Sequence, residues 1–246
     1  MRIFIAGATG IISSKLIPML LSAGHELTGT ARSEEKADRL RGLGVTPVVV
    51  DAFDASALNA AVCAAEPAVV VHQLTSLPDR IDSGLPLETL EQNALIRREG
   101  TRNLVAAAVQ AGARRLVAQS AAWLYAQGPL PHSEAHALDL DAEGPRAISV
   151  RGVSELERLV LSARSIQGLV LRFGQLYGPG TWYAEQTGEV SVHVAAAAMA
   201  TALAVTRGAP GIYNIVDNGG AVTNSKARRE LDWDPSQRAA GAAPAR

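Results

Sequence analysis

The sequence predicts the α/β class: a doubly wound, mainly parallel sheet with helices on both faces and a reduced lobe toward the C-terminal end. Three observations predict it. Short β-rich runs alternate with helical patterns, an order that right-handed crossovers turn into a parallel sheet. A glycine turn joins the first of these runs to the first helix. The chain has 246 residues and is 48% hydrophobic, enough for one large core or a domain with a small annex.

The strand candidates, in order, are RIFIA (2–6), ELTGT (26–30), PVVV (47–50), AVVVH (68–72), RLVAQ (115–119) and GLVLRF (168–173), with GIYNIV (211–216) after them. Helices are expected to begin near Ile11, Glu34, Ala55, Leu87 and Ser149. The fourth, LETLEQNALIRREGTRNLVAAAVQAG, reads as the longest, with Gly112 as its stop. An alanine-rich helix near 192–206 and a short helix near 224–232 complete the set. Two loop-like segments follow strand ends: residues 126–146, with three prolines, two histidines and four acids, and YGPGTWYAEQTGE (177–189). Loops at the carboxyl ends of strands are where open α/β sheets place ligands. The division expected is a dinucleotide-binding domain over 1–175, a truncated substrate lobe over 176–235 and a frayed tail over 236–246.

Composition excludes several functions. A formal charge of -1 gives no basic field for a phosphate backbone, and the pairs Arg97-Arg98, Arg114-Arg115 and Arg228-Arg229 lack interleaved aromatics, so no nucleic-acid partner is expected. The single Cys63 can form neither an intramolecular disulfide nor a cysteine metal cluster; it reads as a small buried side chain in a reducing compartment, and no metal site is expected. MRIFIAGATG reaches its glycines too soon for a signal peptide, and the alanine-rich stretch 194–205 is too short to span a bilayer. The expectation is a cytoplasmic protein without a membrane partner, acting on a small molecule, with a homodimer as one arrangement.

IFIAGATGIISSKL is strand, glycine turn and helix start, with Gly7 and Gly10 where backbone must approach a pyrophosphate. The usual third glycine is Ser13, small enough for helix–strand packing. This is the Rossmann-like arrangement; without a ligand the same residues would make a tight βα turn. The second strand ends in GTARSEEK, which presents Arg32, with Lys36 a turn later, in place of an acid for the ribose hydroxyls. That favours NADP over NAD, unless Arg32 is a solvated loop charge. Asp51 suits either an adenine edge or a helix-capping turn. The other cofactor-side candidates are Thr9, Ile11 and Ile12 of the glycine turn, Ala52 beside Asp51, and Gln73 and Leu74 after the fourth strand.

GATGIIS (7–13), VVVHQLT (69–75), EGTRNLVAAAVQAGARRLVAQS (99–120), LVLRFGQLYGPGT (169–181), GIYNIVDN (211–218) and SKARRELDWDP (225–235) together resemble the extended short-chain dehydrogenase/reductase superfamily, in its NAD-dependent epimerase/dehydratase branch. The resemblance runs across almost the whole chain. It implies a Ser or Thr after the fifth strand and a Tyr-x-x-x-Lys pair on the next helix. In that arrangement tyrosine exchanges the proton, lysine lowers its pKa and holds the nicotinamide ribose, and serine positions the substrate oxygen.

Here the chain departs from its relatives. Alignment through Tyr125 puts Ala121 at the serine position, with Ser120 just before it, and RGVSE places Arg151 and Glu155 in the tyrosine and lysine places. A check independent of register agrees: the lysines are Lys15, Lys36 and Lys226, and no tyrosine lies between Tyr125 and Tyr177. Ser120, Tyr125, Arg151 and Glu155 are therefore the catalytic candidates. Arg151 would polarise a carbonyl or bind an anion, and Glu155 would bind ribose hydroxyls or act as a base; the competing reading is a surface ion-paired stripe. His132, His136, Tyr177 and Tyr183 are reserve proton donors, and His72 reads as a hydrogen-bonded core or cofactor-side residue. The segment after Thr181 is shorter than in relatives, with Ala195 and Ala196 where they often carry acids, so the pocket is expected to be open, small or completed by a second chain.

Three functions compete at this point. The first is an NAD(P)-dependent oxidoreductase or epimerase-like enzyme acting on a small carbonyl or secondary alcohol through a non-standard proton relay. The second is a non-redox cyclase, dehydratase or isomerase on the same scaffold. The third is a catalytically inactive NADP-binding regulatory module.

Overall fold

A computed structural model describes residues 1–78 and 84–238. β1 (Arg2–Ala6), α1 (Ile11–Ser22), β2 (Glu26–Ala31), α2 (Glu34–Gly42), β3 (Thr46–Val49), α3 (Ala55–Ala65) and β4 (Val69–His72) form the first half. α4 (Leu87–Leu95), a π-helical turn (Ile96–Gly100), α5 (Thr101–Gln110), β5 (Arg115–Ala121), α6 (Gly144–Ser162) and β6 (Gln167–Phe173) follow. The chain then makes β7 (Gln175–Tyr177), β8 (Ser191–His193), α7 (Val194–Ala204), β9 (Gly211–Ile215) and α8 (Ser225–Leu231). Seven strands form one sheet in the order β3-β2-β1-β4-β5-β6-β9, each neighbouring pair parallel. Strand order reverses between β1 and β4, which opens a crevice at their carboxyl ends.

The strands read as continuous apolar runs because both faces are covered. Ile3 and Ile5 join Leu16, Ile17, Ala197 and Ala200 in the layer of α1 and α7. Phe4 and Ala6 point the other way, to Leu58, Leu104 and Leu156 of α3, α5 and α6. Each such Leu or Ile contributes about 1.5–3 kcal/mol by leaving water. α7 is apolar and buried on nearly every side, and its alanines let it pack closely beside α1 on the sheet. Among the described residues no helix is long and apolar enough to cross a membrane.

Four expectations change. The long fourth helix is two helices joined by the π-turn, with Gly112 in the left-handed conformation (φ +71°) just past the end of α5. α6 starts at Gly144 instead of near Ser149, because Pro145 in a first helical turn sacrifices no hydrogen bond. The short parallel pair β7–β8 flanks the second loop and was not foreseen. Residues 176–235 also share the main core: β9 extends the sheet beside β6, and Val192, Tyr213 and Trp233 pack in the cluster that holds Ile3 and Leu169. Of the expected frayed tail, residues 239–246 lie outside the described residues.

Candidate active site

The glycine turn is held from three sides. Gly7 has φ +86°, and a Cβ there would meet the Gln73 carbonyl oxygen at 2.5 Å, so this position must be glycine for the end of β4 to approach. Its N–H donates to Thr30 Oγ1 (2.9 Å), and buried Ser13 donates from Oγ to the Gly7 carbonyl (2.9 Å), replacing a third glycine with a tie. Gly10 is the N-cap of α1 and has no side chain with which to cap it, and the first turn holds no acid. The helix therefore offers free N–H groups and the positive end of its dipole to an anion. Thr9 and Gly10 are exposed beside these groups, Ile11 is half-buried, and Ile12 turns into the core.

The other cofactor-side candidates follow the same edge. Arg32 is exposed just past β2 and forms no ion pair among the described residues. Lys36 is half-buried on α2, where its N–H donates to Ser33 Oγ in the helix cap. Asp51 accepts from the Phe53 N–H in a local turn, and the buried Ala52 carbonyl accepts from Asn103 Nδ2. Gln73 is 5% exposed, and neither its amide oxygen nor its nitrogen has a partner. Buried polar groups are nearly always hydrogen-bonded, so this orphaned amide beside Gly7 marks a place for a polar ligand. Leu74 is fixed through its N–H to His72 Nδ1 (3.2 Å). Because that nitrogen accepts, Nε2 carries the proton and donates to Thr101 Oγ1 (2.7 Å). Burial, reinforced by the Arg97 charge, lowers His72 to about 4, so it is neutral and holds the loop.

The four catalytic candidates do not meet. Ser120 donates to Glu157 Oε1 (2.6 Å), and Glu157 also takes a bidentate pair from Arg172 (2.8 and 2.6 Å) in the interior. Tyr125 donates to Asn214 Oδ1 (2.7 Å), lies under the Arg172 guanidinium at 4.9 Å and stacks on His132 at 5.1 Å; burial raises its pKa. Arg151 is exposed on α6. Glu155 accepts two bonds from Arg158 (2.7 Å each) and faces Arg102 at 3.7 Å; the Arg158 hydrogen bonds hold its carboxyl below the usual range. The face of α6 turned to the sheet carries Val150, Val153, Leu156, Glu157 and Val160. Stepping back from Glu157 by four residues gives Val153, and by four more Ser149.

Two of the reserve donors are engaged: His136 Nδ1 accepts from the Ser133 N–H (2.9 Å), and Tyr177 accepts from Arg238 (2.9 Å). The Tyr183 carbonyl accepts from the Gly178 N–H (2.8 Å) while its hydroxyl has no hydrogen bond among the described residues, and buried His132, stacked on Tyr125, has Nδ1 without a partner. Sequence reasoning did not foresee Glu157 and Arg172. The available signal was an acid inside the apolar stripe of α6 and a base inside the run LVLRF, each too apolar a setting for an unpaired charge.

A profile of the NAD dependent epimerase/dehydratase family matches residues 3–230. The chain belongs to that family. A Streptomyces sp protein named 3-diazoavenalumate denitrifying reductase is 48% identical over 190 residues, 76% of this chain and 60% of that protein. An uncharacterised Schizosaccharomyces pombe protein is 53% identical over 49 residues, 20% of this chain and 17% of its own. The match thus spans less than two thirds of either relative. Among solved structures, UDP-glucose 4-epimerase of Thermotoga maritima with UDP-glucose superposes with TM-score 0.75 at 15% identity, covering 96% of this chain and 94% of that one. Bordetella bronchiseptica WbmG in complex with NAD and UDP gives 0.71 at 18%, covering 95% and 88%. These two show that the epimerase/dehydratase family member described here has the Rossmann-like fold of its relatives.

Proposed function

We propose that this protein is an NADPH-dependent reductase of a small acceptor that is electrophilic without being protonated, such as an aryl diazonium cation. The observation that carries the reading is an α6 without a tyrosine acid, on which Arg151 is exposed and Glu155 is ion-paired with Arg158, in a chain whose glycine turn is intact. Bound at that turn, a reduced dinucleotide supplies a hydride. The free N–H groups of α1 would hold its diphosphate, Arg32 and Lys36 would pair with a 2′-phosphate and so favour NADP, and the Gln73 amide would take a polar group of the cofactor.

Hydride addition to a carbonyl leaves an alkoxide that must be protonated, which is the task of a tyrosine acid. This chain holds Tyr125 in a buried bond to Asn214. An aryl diazonium cation takes hydride at its terminal nitrogen without that proton, giving an aryldiazene that loses dinitrogen and leaves the arene, and the 48% identical relative is named for a diazo compound and for reduction. The non-redox alternative needs Arg151 and Glu155 as reagents, yet one is solvated and the other is ion-paired on the surface.

The experiment follows NADPH oxidation with an aryl diazonium probe and with a panel of ketones and aldehydes, using NADPH deuterated on either face of the ring to separate enzymatic from background transfer. Transfer from one face only, with the diazonium and not the ketones, is expected. The variants Arg151→Ala and Glu155→Ala retain the rate. Ketone turnover restores the carbonyl reading, and loss of activity in both variants restores the non-redox site.

A further inference from the structure

Arg97 is a buried cation that neither the fold nor the cofactor site explains. It stands on the π-turn between α4 and α5, is 7% exposed, and makes no hydrogen bond or ion pair with any described residue. The charges that act with it are at the end of β4 and on α6: it helps keep His72 neutral, and Glu157 supports its own charge. Glu157 is not available as a partner, because its two oxygens are held by Arg172 and Ser120. The remaining Arg172 amine, Nη1, is buried without a hydrogen bond, and that guanidinium lies over the Tyr125 ring.

Among the described residues Arg97 has no carboxylate of its own: Glu157 is taken up by Arg172 and Ser120, and Glu134 accepts from the Asn214 N–H beside Tyr125. Burial lowers Arg97 only to about 10, so the charge persists at neutral pH. An uncompensated buried ion costs several kcal/mol, and a protein keeps one where a ligand completes it.

We propose that Arg97 is the anchoring residue for a monoanionic carboxylate carried by the acceptor. This assignment rests on the reductase reading above and supplies its substrate class. A single guanidinium matches a carboxylate monoanion better than a phosphate dianion, and its planar fork pairs with a carboxylate through two parallel bonds. Position supports the same assignment. The π-turn packs under the loop that abuts the glycine turn: a Cβ on Gly100 would lie 3.6 Å from Leu74 Cδ1, next to Gln73. Its wide winding directs Arg97 inward while Arg98 stays exposed, and such turns recur at functional sites.

The test titrates benzoate, benzamide and inorganic phosphate into the full-length protein by calorimetry, with and without NADP+, for wild type, Arg97→Lys and Arg97→Met. Melting temperatures are measured on the ligand-free proteins. In wild type, benzoate is expected to bind at least about tenfold more tightly than benzamide, equal to about 1.4 kcal/mol, and more tightly than phosphate. Arg97→Lys keeps part of that preference. Arg97→Met loses it while its melting temperature rises, because an unpaired buried charge has been replaced by an apolar chain of similar reach. A structural arginine would lower the melting temperature instead. The inference is overturned by a wild type that does not prefer benzoate, by an Arg97→Met protein that still does, or by tighter phosphate binding. Failure of NADP+ to bind wild type overturns the reductase reading instead; benzoate preference independent of Arg97 in a protein that does bind NADP+ overturns this inference alone.

Discussion

His72 shows how one buried side chain limits the fold in acid. Its folded pKa, about 4, lies below the ordinary 6.5, so between those values the unfolded chain binds a proton that the native chain excludes. Stability is therefore full above about pH 6.5 and falls as pH drops toward about 4, by on the order of 3 kcal/mol if the whole shift is expressed. Urea midpoints measured from neutral to acid pH should show this limb, and His72→Gln, whose amide can still meet Thr101, should flatten it. An unchanged acid limb in that variant would place the proton elsewhere. The sequence already suggested a hydrogen-bonded core or cofactor-side role for His72, since it closes an apolar run. Glu157 was harder to read. In RGVSELERLV three charged residues share the solvent side and one faces the interior, and helical spacing alone does not say which acid finds Arg172.

At the scale of elements, the turn between β1 and α1 separates two uses of glycine. Gly7 serves the fold: alanine there would need a left-handed backbone and would push against the Gln73 carbonyl, so Gly7→Ala is expected to cost well over about 1 kcal/mol and to lose nucleotide binding as a consequence. Gly10 is free of that constraint: its φ is -78°, and an added Cβ would meet only the Gly7 carbonyl, at 3.3 Å. Gly10→Ala should fold with a loss of about 1 kcal/mol or less, the effect of a poorer cap, while NADP+ affinity falls at least about tenfold. Thermal melts and nucleotide titration on both variants check this, and equal affinity in Gly10→Ala would remove the diphosphate from α1. The strand–turn–helix pattern made this element legible in the sequence. The π-turn was not legible, because NALIRREG continues helical periodicity and only the packing of Gly100 against Ile96 and Leu74 shows where the winding widens.

For the whole molecule, residues 176–235 pack into the core shared with β1 and α1. Arg115, at the start of β5, donates to the carbonyls of Ala204, Arg207 and Gly208 and to Gln167 Oε1, lacing the end of α7 to the edge of the sheet. Trp233, 1% exposed, donates to the Ala196 carbonyl at 2.9 Å. A fragment ending at residue 175 would uncover the faces of β6 and α1 and is expected to lack a cooperative melt, whereas the full chain should unfold in one transition followed equally by tryptophan fluorescence and circular dichroism. A folded 1–175 fragment would restore the two-part division.

The amino-acid sequence by itself determined the class of fold, the strand succession and the glycine turn, because these depend on local periodicity and on backbone freedom at single residues. It also excluded a Tyr-x-x-x-Lys relay, which is a matter of which residues exist. Tertiary structure alone decided which charges are buried together. Arg97, Glu157 and Arg172 come from the π-turn, α6 and β6, and their chemistry arises from a shared loss of water and from which guanidinium finds the carboxylate, which no local pattern records.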